Sequence, residues 1–155
     1  MILKAPENFD KNKQRKIFLA GSIEMGKAED WQTKVSNALD SEEVLILNPR
    51  RDDWDSSWEQ KKENKQFAEQ VNWELKAQEE SEVILMYFDK NTQSPITLLE
   101  LGLFGPSAGN MIVCCPEGFW RKGNVDIVCE RYNIKQVETI EEMIEACKKI
   151  FTEEE

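Results

Sequence analysis

The chain has 155 residues, 40% of them hydrophobic and 32% charged, an ordinary make-up for one globular domain with an apolar core. Its formal net charge of −10 disfavours a non-specific grip on DNA or RNA, because phosphate binding needs clustered Lys and Arg. There is no histidine, which excludes Ser-His-Asp and Cys-His arrangements and leaves acid/base or nucleophilic work to carboxylates, Tyr, Lys, Cys or Ser.

Residues 1–16 are polar, with Pro6 and a cluster of lysines at Lys11, Lys13 and Lys16, and are predicted to form a leader on the domain surface. A short apolar strand over 17–20 runs into Gly21-Ser22, a small-residue turn of the kind that brings backbone N–H groups to a ligand. Residues 28–39 read as an amphipathic helix with Trp31, Val35 and Leu39 on one face, where Trp31 fits the core. A second strand at 44–47 leads into Asn48-Pro49-Arg50-Arg51-Asp52-Asp53-Trp54-Asp55, a charge-dense βα loop closed by an aromatic. Such loops favour specificity residues, although a solvated turn has the same composition.

From Trp58 to about Glu80 the pattern is helical, as one helix or two, with a stripe of Phe67, Val71 and Leu75; Trp73 and Glu74 fall partly off it, towards the sheet edge or a second subunit. The run 83–88 (VILMYF) is the predicted central strand, continuous apolar character implying burial on both faces. Ser94-Pro95 can cap and open a helix over 95–104, which Gly105-Pro106 ends. Then come a strand at 110–115, a loop at 116–124 (PEGFWRKGN), a helix at 125–132, an edge strand near Val137, and a closing helix at 139–151 capped by Thr139. Residues 152–155 form an acidic tail expected to fray.

This order predicts a single domain over 1–155. The fold class is α/β: an open, mostly parallel sheet of about five strands with helices on both faces, Rossmann- or flavodoxin-like. Of the four cysteines, Cys114 and Cys115 are adjacent in an apolar run, and no C-x₂-C pair with zinc-ligand spacing occurs. Reduced thiols, a cytoplasmic location, no membrane span and no signal-like start are expected. Asp52, Asp53 and Asp55 carry the right chemistry for Mg²⁺, but nothing else demands a metal or cofactor, and none is predicted.

One carboxylate stands apart. Glu100 sits alone in ITLLELGLF, after the central strand, where α/β folds collect ligands. It points at solvent, at a partner, or into a pocket as a catalytic group. The segments FLAGSI (18–23), NWEL (72–75) and SPITLLELG (94–102) resemble the nucleoside 2-deoxyribosyltransferase superfamily, which includes 2′-deoxynucleoside 5′-monophosphate N-glycosidases. NPRRDDWD and PEGFWRKGNV are similar to its 2-deoxyribosyltransferase-like branch. The likeness spans roughly Ile17 to Phe151.

The resemblance implies cleavage of the bond between a base and a (deoxy)ribose, with Glu100 as nucleophile at the anomeric carbon. Glu74 aligns with an Asp that assists at the base. Ser94 stands where the phosphohydrolases also have Ser, in the phosphate region, and the transferases have Asp. Gly21 and Ser22 match the turn beneath the sugar or phosphate. Phe18 replaces a tyrosine of the phosphohydrolases, removing a hydroxyl near the reacting centre. Superfamily members assemble as dimers or larger, so a homo-oligomer is expected.

The chemistry is coherent without the family. Glycosidic cleavage develops positive charge at the anomeric carbon, which a carboxylate can stabilise or attack, and a second carboxyl of raised pKa can protonate the leaving base. For the base, Arg51 or Asp52 offers polar contacts and Trp54 a stacking face. For a phosphate, Arg121 and Lys122 are candidates, as against a solvated basic pair, and Trp120 equally suits a subunit interface. The small-molecule partner is then a nucleoside or nucleotide. The competing readings are a catalytically inactive nucleotide sensor on the same fold and an interaction protein using its tryptophans. The turn GSIEMG lacks the glycine pattern of a dinucleotide fold.

Overall fold

The computed structural model describes residues 1–21 and 30–153. Within them six strands form one sheet: β1 (Ile2–Lys4), β2 (Arg15–Gly21), β3 (Val44–Asn48), β4 (Val83–Tyr87), β5 (Met111–Cys114) and β6 (Lys135–Val137). They run in the order β1-β3-β2-β4-β5-β6, and every neighbouring pair is parallel. The helices are α1 (Trp31–Leu39), α2 (Lys65–Glu80), α3 (Pro95–Phe104), α4 (Lys122–Arg131) and α5 (Ile140–Glu153).

The strands β3, β4 and β5 are buried at every position, which is why their sequences read as unbroken apolar runs. Alternate side chains divide between two cores. Leu45, Leu47, Ile84, Met86 and Val113 meet Trp73, Leu101 and Val125 of α2, α3 and α4. Ile46, Val83, Leu85 and Ile112 meet Trp31, Val35, Met143 and Cys147 of α1 and α5. The result is a doubly wound α/β sheet of the flavodoxin-like type. The chain winds outward from β2 one way through β3 and the other way through β4, β5 and β6, so the switch point lies between β2 and β4, where Gly21 pairs with Tyr87.

The N-terminal segment differs from the expected surface leader. Its residues 2–4 form β1, which extends the sheet beyond β3 and gives six strands instead of about five. Leu3, Ala5 and Phe9 are buried. Phe9 meets Trp73 edge-on at 5.7 Å, the Trp73 indole donates to the Glu7 carbonyl at 2.8 Å, and Lys76 pairs with Asp10. A strand of three residues is too short to show a period, so its apolar anchors pass for isolated residues among polar ones.

The helical pattern from Trp58 resolves into a loop over 49–64 and a single helix. Asn64 caps α2 by accepting from the Phe67 N–H at 2.9 Å. The buried stripe of α2 is Gln70, Trp73, Ala77 and Gln78, whereas Phe67, Val71 and Leu75 are only half-buried. Two of the four most buried positions are amides, which an apolar-periodicity argument assigns to the outer face. Thr139 caps α5 as expected, accepting from the Glu142 N–H at 3.1 Å. All four cysteines are free and buried.

If the N-terminal segment is part of the core, Phe9→Ala costs about 3 kcal/mol in urea unfolding, as large-to-small changes at buried aromatics do. A leader merely resting on the surface would lose about 0.5 kcal/mol or less.

Candidate active site

The α3 helix is turned the unusual way round. Its one charged residue, Glu100, is only 7% exposed, while Ile96, Leu99 and Leu103 are 59%, 62% and 53% exposed. Thr97, Glu100 and Leu101 face inward. Both α2 and α3 pack over β2, which turns Phe18 and Ala20 into this layer, and Glu100 meets α2 there.

Its partner is Gln78. The Gln78 Nε2 group donates both to Glu100 Oε2 and to the Glu74 backbone carbonyl, the latter at 3.2 Å. Glu74 lies one turn before Gln78, with Gln70 one turn earlier again, its Nε2 donating to the Pro49 carbonyl at 2.8 Å. Burial pushes the Glu74 carboxyl from its ordinary 4.5 up to about 8, the nearby Glu100 charge adds to the rise, and the Gln70 hydrogen bond opposes it. Burial likewise raises Glu100 to about 7, opposed by the Gln78 hydrogen bond. The Gln78 amide thus ties Glu100 to the turn of α2 that carries Glu74, 26 residues away in sequence.

The turn between β4 and α3 is tightly built. Asp89 accepts from the Asn91 N–H at 2.8 Å, the Thr92 hydroxyl donates to the Asp89 carbonyl at 2.8 Å, and Thr92 and Ser94 hydroxyls are hydrogen-bonded at 2.7 Å. Ser94 does not cap α3 through its side chain, contrary to the Ser-Pro expectation. Its backbone is left-handed at φ 48°, ψ 52°, a conformation that costs a non-glycine residue about 1 kcal/mol or more. Pro95 opens the helix, and the Ser94 hydroxyl stays inside the turn, buried with Thr92.

The other expected residues divide. Phe18 is fully buried, its ring 6.4 Å from Trp73. Gly21 ends β2, where an added Cβ would lie 2.5 Å from the Trp31 ring and 2.7 Å from the Tyr87 carbonyl, so only glycine fits that approach. Ser22 lies outside the described residues. Arg51 is committed internally: its guanidinium bonds Asp53 and Glu69 at 2.8 Å each and stacks 5.1 Å from Trp58. Asp52 is exposed and pairs with Lys4 at 3.1 Å. Trp54, 36% exposed, meets Trp58 edge-on at 5.0 Å. The loop over 49–64 is therefore tied to the start of α2 through Pro49 and Arg51, beside the carboxyl pair rather than against Glu100.

Trp120 donates to the Gln93 carbonyl at 2.9 Å, which seats the loop after β5 on the Ser94 turn. Arg121 stacks 4.4 Å from Trp120 and is exposed. Lys122 instead turns to the Cys115 carbonyl and Asp126, at 3.1 Å each. Among the described residues, no group of three or more His, Cys, Asp or Glu could hold a metal ion, and no helix is long and apolar enough to cross a membrane.

Sequence reasoning missed Gln70, Gln78 and Thr92. A signal was present for the first two: Gln70, Glu74 and Gln78 stand at i, i+4 and i+8, a polar ladder along one helix face.

Fold and site together define a class: a doubly wound α/β domain with a buried carboxyl, Glu100, and a half-buried one, Glu74, beside its switch point. The chain belongs to the family described as nucleoside 2-deoxyribosyltransferase like, whose model matches residues 14–119. The matched span holds Glu74, Ser94 and Glu100 and ends before α4. No curated protein matches the sequence.

The raised carboxyls have a consequence for stability. Their contribution is fully present below the unfolded value near 4.5 and is lost as pH rises through about 7 and 8, because the folded state resists their ionisation. Urea unfolding of the parent should weaken by about 1 kcal/mol or more between about pH 5.5 and pH 8.5. Glu74→Gln should flatten that slope. An equal slope in the variant would show that other groups carry it.

Proposed function

We propose that this protein cleaves or exchanges the N-glycosidic bond of a nucleoside or nucleoside 5′-monophosphate. The observation that carries the reading is the buried Glu100, tied through the Gln78 amide to the turn of α2 that carries Glu74, in a chain that has no histidine. Glu100, the group of lower pKa, attacks the anomeric carbon: its oxygen forms a bond to that carbon as the bond to the base nitrogen breaks. Glu74, the group of higher pKa, gives its proton to the departing base. Water then attacks the anomeric carbon and releases the sugar and Glu100, with its proton returning to Glu74; attack by a second base in place of water completes an exchange.

Ser94 lies at the start of α3, where the helix N-terminus favours an anion, and the exposed Arg121 adjoins the same turn; both support a phosphorylated substrate. Gly21 would lie beneath the sugar. The 49–64 loop would face the base, with Trp54 as its exposed aromatic. Because the Arg51 guanidinium is bonded to Asp53 and Glu69, its role in base recognition would be to hold the loop.

Free-base release from a panel of nucleosides and 5′-monophosphates, followed by chromatography, tests the reading. Release should vanish in Glu100→Ala and fall about 10²- to 10⁴-fold in Glu74→Gln. Retained release in Glu100→Ala would refute the nucleophile. Saturable binding with no release from any member would favour the ligand-sensing alternative.

The exposed face of α3 supports self-association with a second copy. Pro95, Ile96, Leu99, Gly102 and Leu103 place no charge on that face, so two copies of a chain with net charge −10 can meet there with least repulsion. Gly102 has nothing within 4 Å of an added Cβ, although a helix-interior glycine costs about 1 kcal/mol relative to Ala. No contact among the described residues requires it, whereas a facing helix would use the close approach. Light scattering should give a dimer for the parent and a monomer for the double variant Leu99→Asp, Leu103→Asp. A monomeric parent would refute this.

A further inference from the structure

We infer that Gln78 positions Glu100 for attack: its amide N–H holds the Oε2 oxygen against α2 and leaves Oε1 as the oxygen that meets the anomeric carbon. Gln78 is a positioning residue and acts only through Glu100. Its catalytic meaning rests on the proposed glycosidic reading, whereas its hold on Glu100 does not.

The orientation of the amide follows from its neighbours. The Gln78 atom 3.2 Å from the Glu74 backbone carbonyl is the nitrogen, because a carbonyl only accepts. The same nitrogen donates to Glu100 Oε2. Two acceptors therefore hold one NH₂ group, and turning the amide over would set its oxygen against both. One of those acceptors is the α2 backbone itself, so Gln78 ties a side chain of α3 to a fixed point on α2. The tie carries a penalty. Gln78 is only 2% exposed, and its own oxygen is buried without a donor, which is destabilising. An apolar side chain would pack there without that loss, so the position keeps an amide for what its nitrogen does.

The two oxygens of Glu100 are thereby made unlike. Oε2 is engaged by Gln78, whereas Oε1 has no hydrogen-bond partner among the described residues and is not one of the buried side-chain atoms that lack one. It therefore keeps some contact with solvent, in a residue that is 7% exposed overall. That is the oxygen a substrate can reach. Oε1 gives an electron pair to the anomeric carbon as the bond to the base nitrogen breaks, and the pair of that bond leaves with the base, which takes the Glu74 proton. In the resulting ester Oε2 is the carbonyl oxygen and still accepts from Gln78. When water attacks the anomeric carbon, its proton passes to Glu74 and Glu100 departs as a carboxylate, whose charge the same N–H stabilises.

Among the described residues no cation takes the place of this amide. On α2, Glu74 lies one turn before Gln78 and is half-buried, while Lys65, Lys76, Glu79 and Glu80 are exposed. On α3 the inward residues are Thr97, Glu100 and Leu101, and the helix carries no Lys or Arg. The sheet turns Phe18 and Ala20 of β2 and Ile84 and Met86 of β4 into this layer. Asp89, beyond the end of β4, is bonded into its own turn with Asn91 and Thr92. Burial favours the neutral form of Glu100, and the Gln78 hydrogen bond is what opposes it.

Carbon-13 NMR titration of the Glu100 carboxyl, assigned with Glu100→Gln, tests the hold without any turnover. In Gln78→Met the midpoint should rise by about one unit, and an unmoved midpoint would overturn the inference. The acid limb of kcat for base release, measured on the nucleoside and 5′-monophosphate panel, should move up with it. The limiting kcat, corrected for that ionisation, should stay about 10- to 100-fold below the parent with KM little changed, because the oxygen is no longer held in line. A loss confined to KM would overturn the placement of Oε1. Should Gln78→Met fail to fold, the parent decides the matter. Its Gln78 side-chain NH₂ signals in proton–nitrogen-15 spectra should titrate with the Glu100 midpoint and stop doing so in Glu100→Gln; signals indifferent to pH would overturn the hold. The two readings fail separately. A shifted midpoint in a protein that releases no base sustains the hold and refutes the glycosidase, whereas base release with an unmoved midpoint sustains the glycosidase and refutes the role of Gln78.

Discussion

The burial of Glu100 between α2 and α3 is the constraint on which the rest of this site depends. A carboxyl removed from water must be neutralised, paired or hydrogen-bonded, and no cation among the described residues serves it. The solution is an amide from the neighbouring helix, with a raised pKa expressing the remaining imbalance. That requirement explains two departures from ordinary amphipathic design. The α2 helix buries Gln70 and Gln78 where apolar residues would pack more cheaply, and α3 turns its aliphatic residues outward. Both helices sacrifice packing to seat one charge.

The sheet makes that arrangement rigid. The flanks of β2 are occupied by β3 and β4, and both helices lie over it, so their relative position is fixed by parallel strands buried on both faces. The loops at the carboxyl edge are then braced against this frame by specific bonds: Pro49 to Gln70, Arg51 to Glu69, Gln93 to Trp120, and the Thr92–Ser94 hydroxyl pair. The left-handed backbone at Ser94 fits the same pattern, since a strained residue at a helix start is held only where its surroundings determine it. Such bracing holds the turn before α3 and the loop before α2 in place beside Glu74 and Glu100.

Sheet, helices and winding were legible in the sequence because each rests on local pattern. Continuous apolar runs at 44–47, 83–88 and 110–115 can only be strands buried on both faces, and the helices between them require parallel crossovers. Glu100 was conspicuous for the same reason, as one charge in an apolar helix. Other features were not local. The short β1 has no period of its own and is defined by pairing with β3 and by Phe9 against Trp73. Phe67, Val71 and Leu75 make a plausible stripe on α2, but the side that faces the sheet is chosen by the layer it meets. Arg51 looks available in sequence, and only the folded loop commits it to Asp53 and Glu69.

By itself, then, the sequence determined every element except β1, their order, the doubly wound class and the two carboxylates worth watching. Tertiary structure decided that Glu100 is buried against α2, that both carboxyls are pushed above their ordinary range, and that Glu100 meets the nitrogen of Gln78. The physical reason is range. Periodicity and turn chemistry act over a few residues and leave their mark on the chain, whereas desolvation and the direction of a hydrogen bond depend on what a distant segment brings alongside.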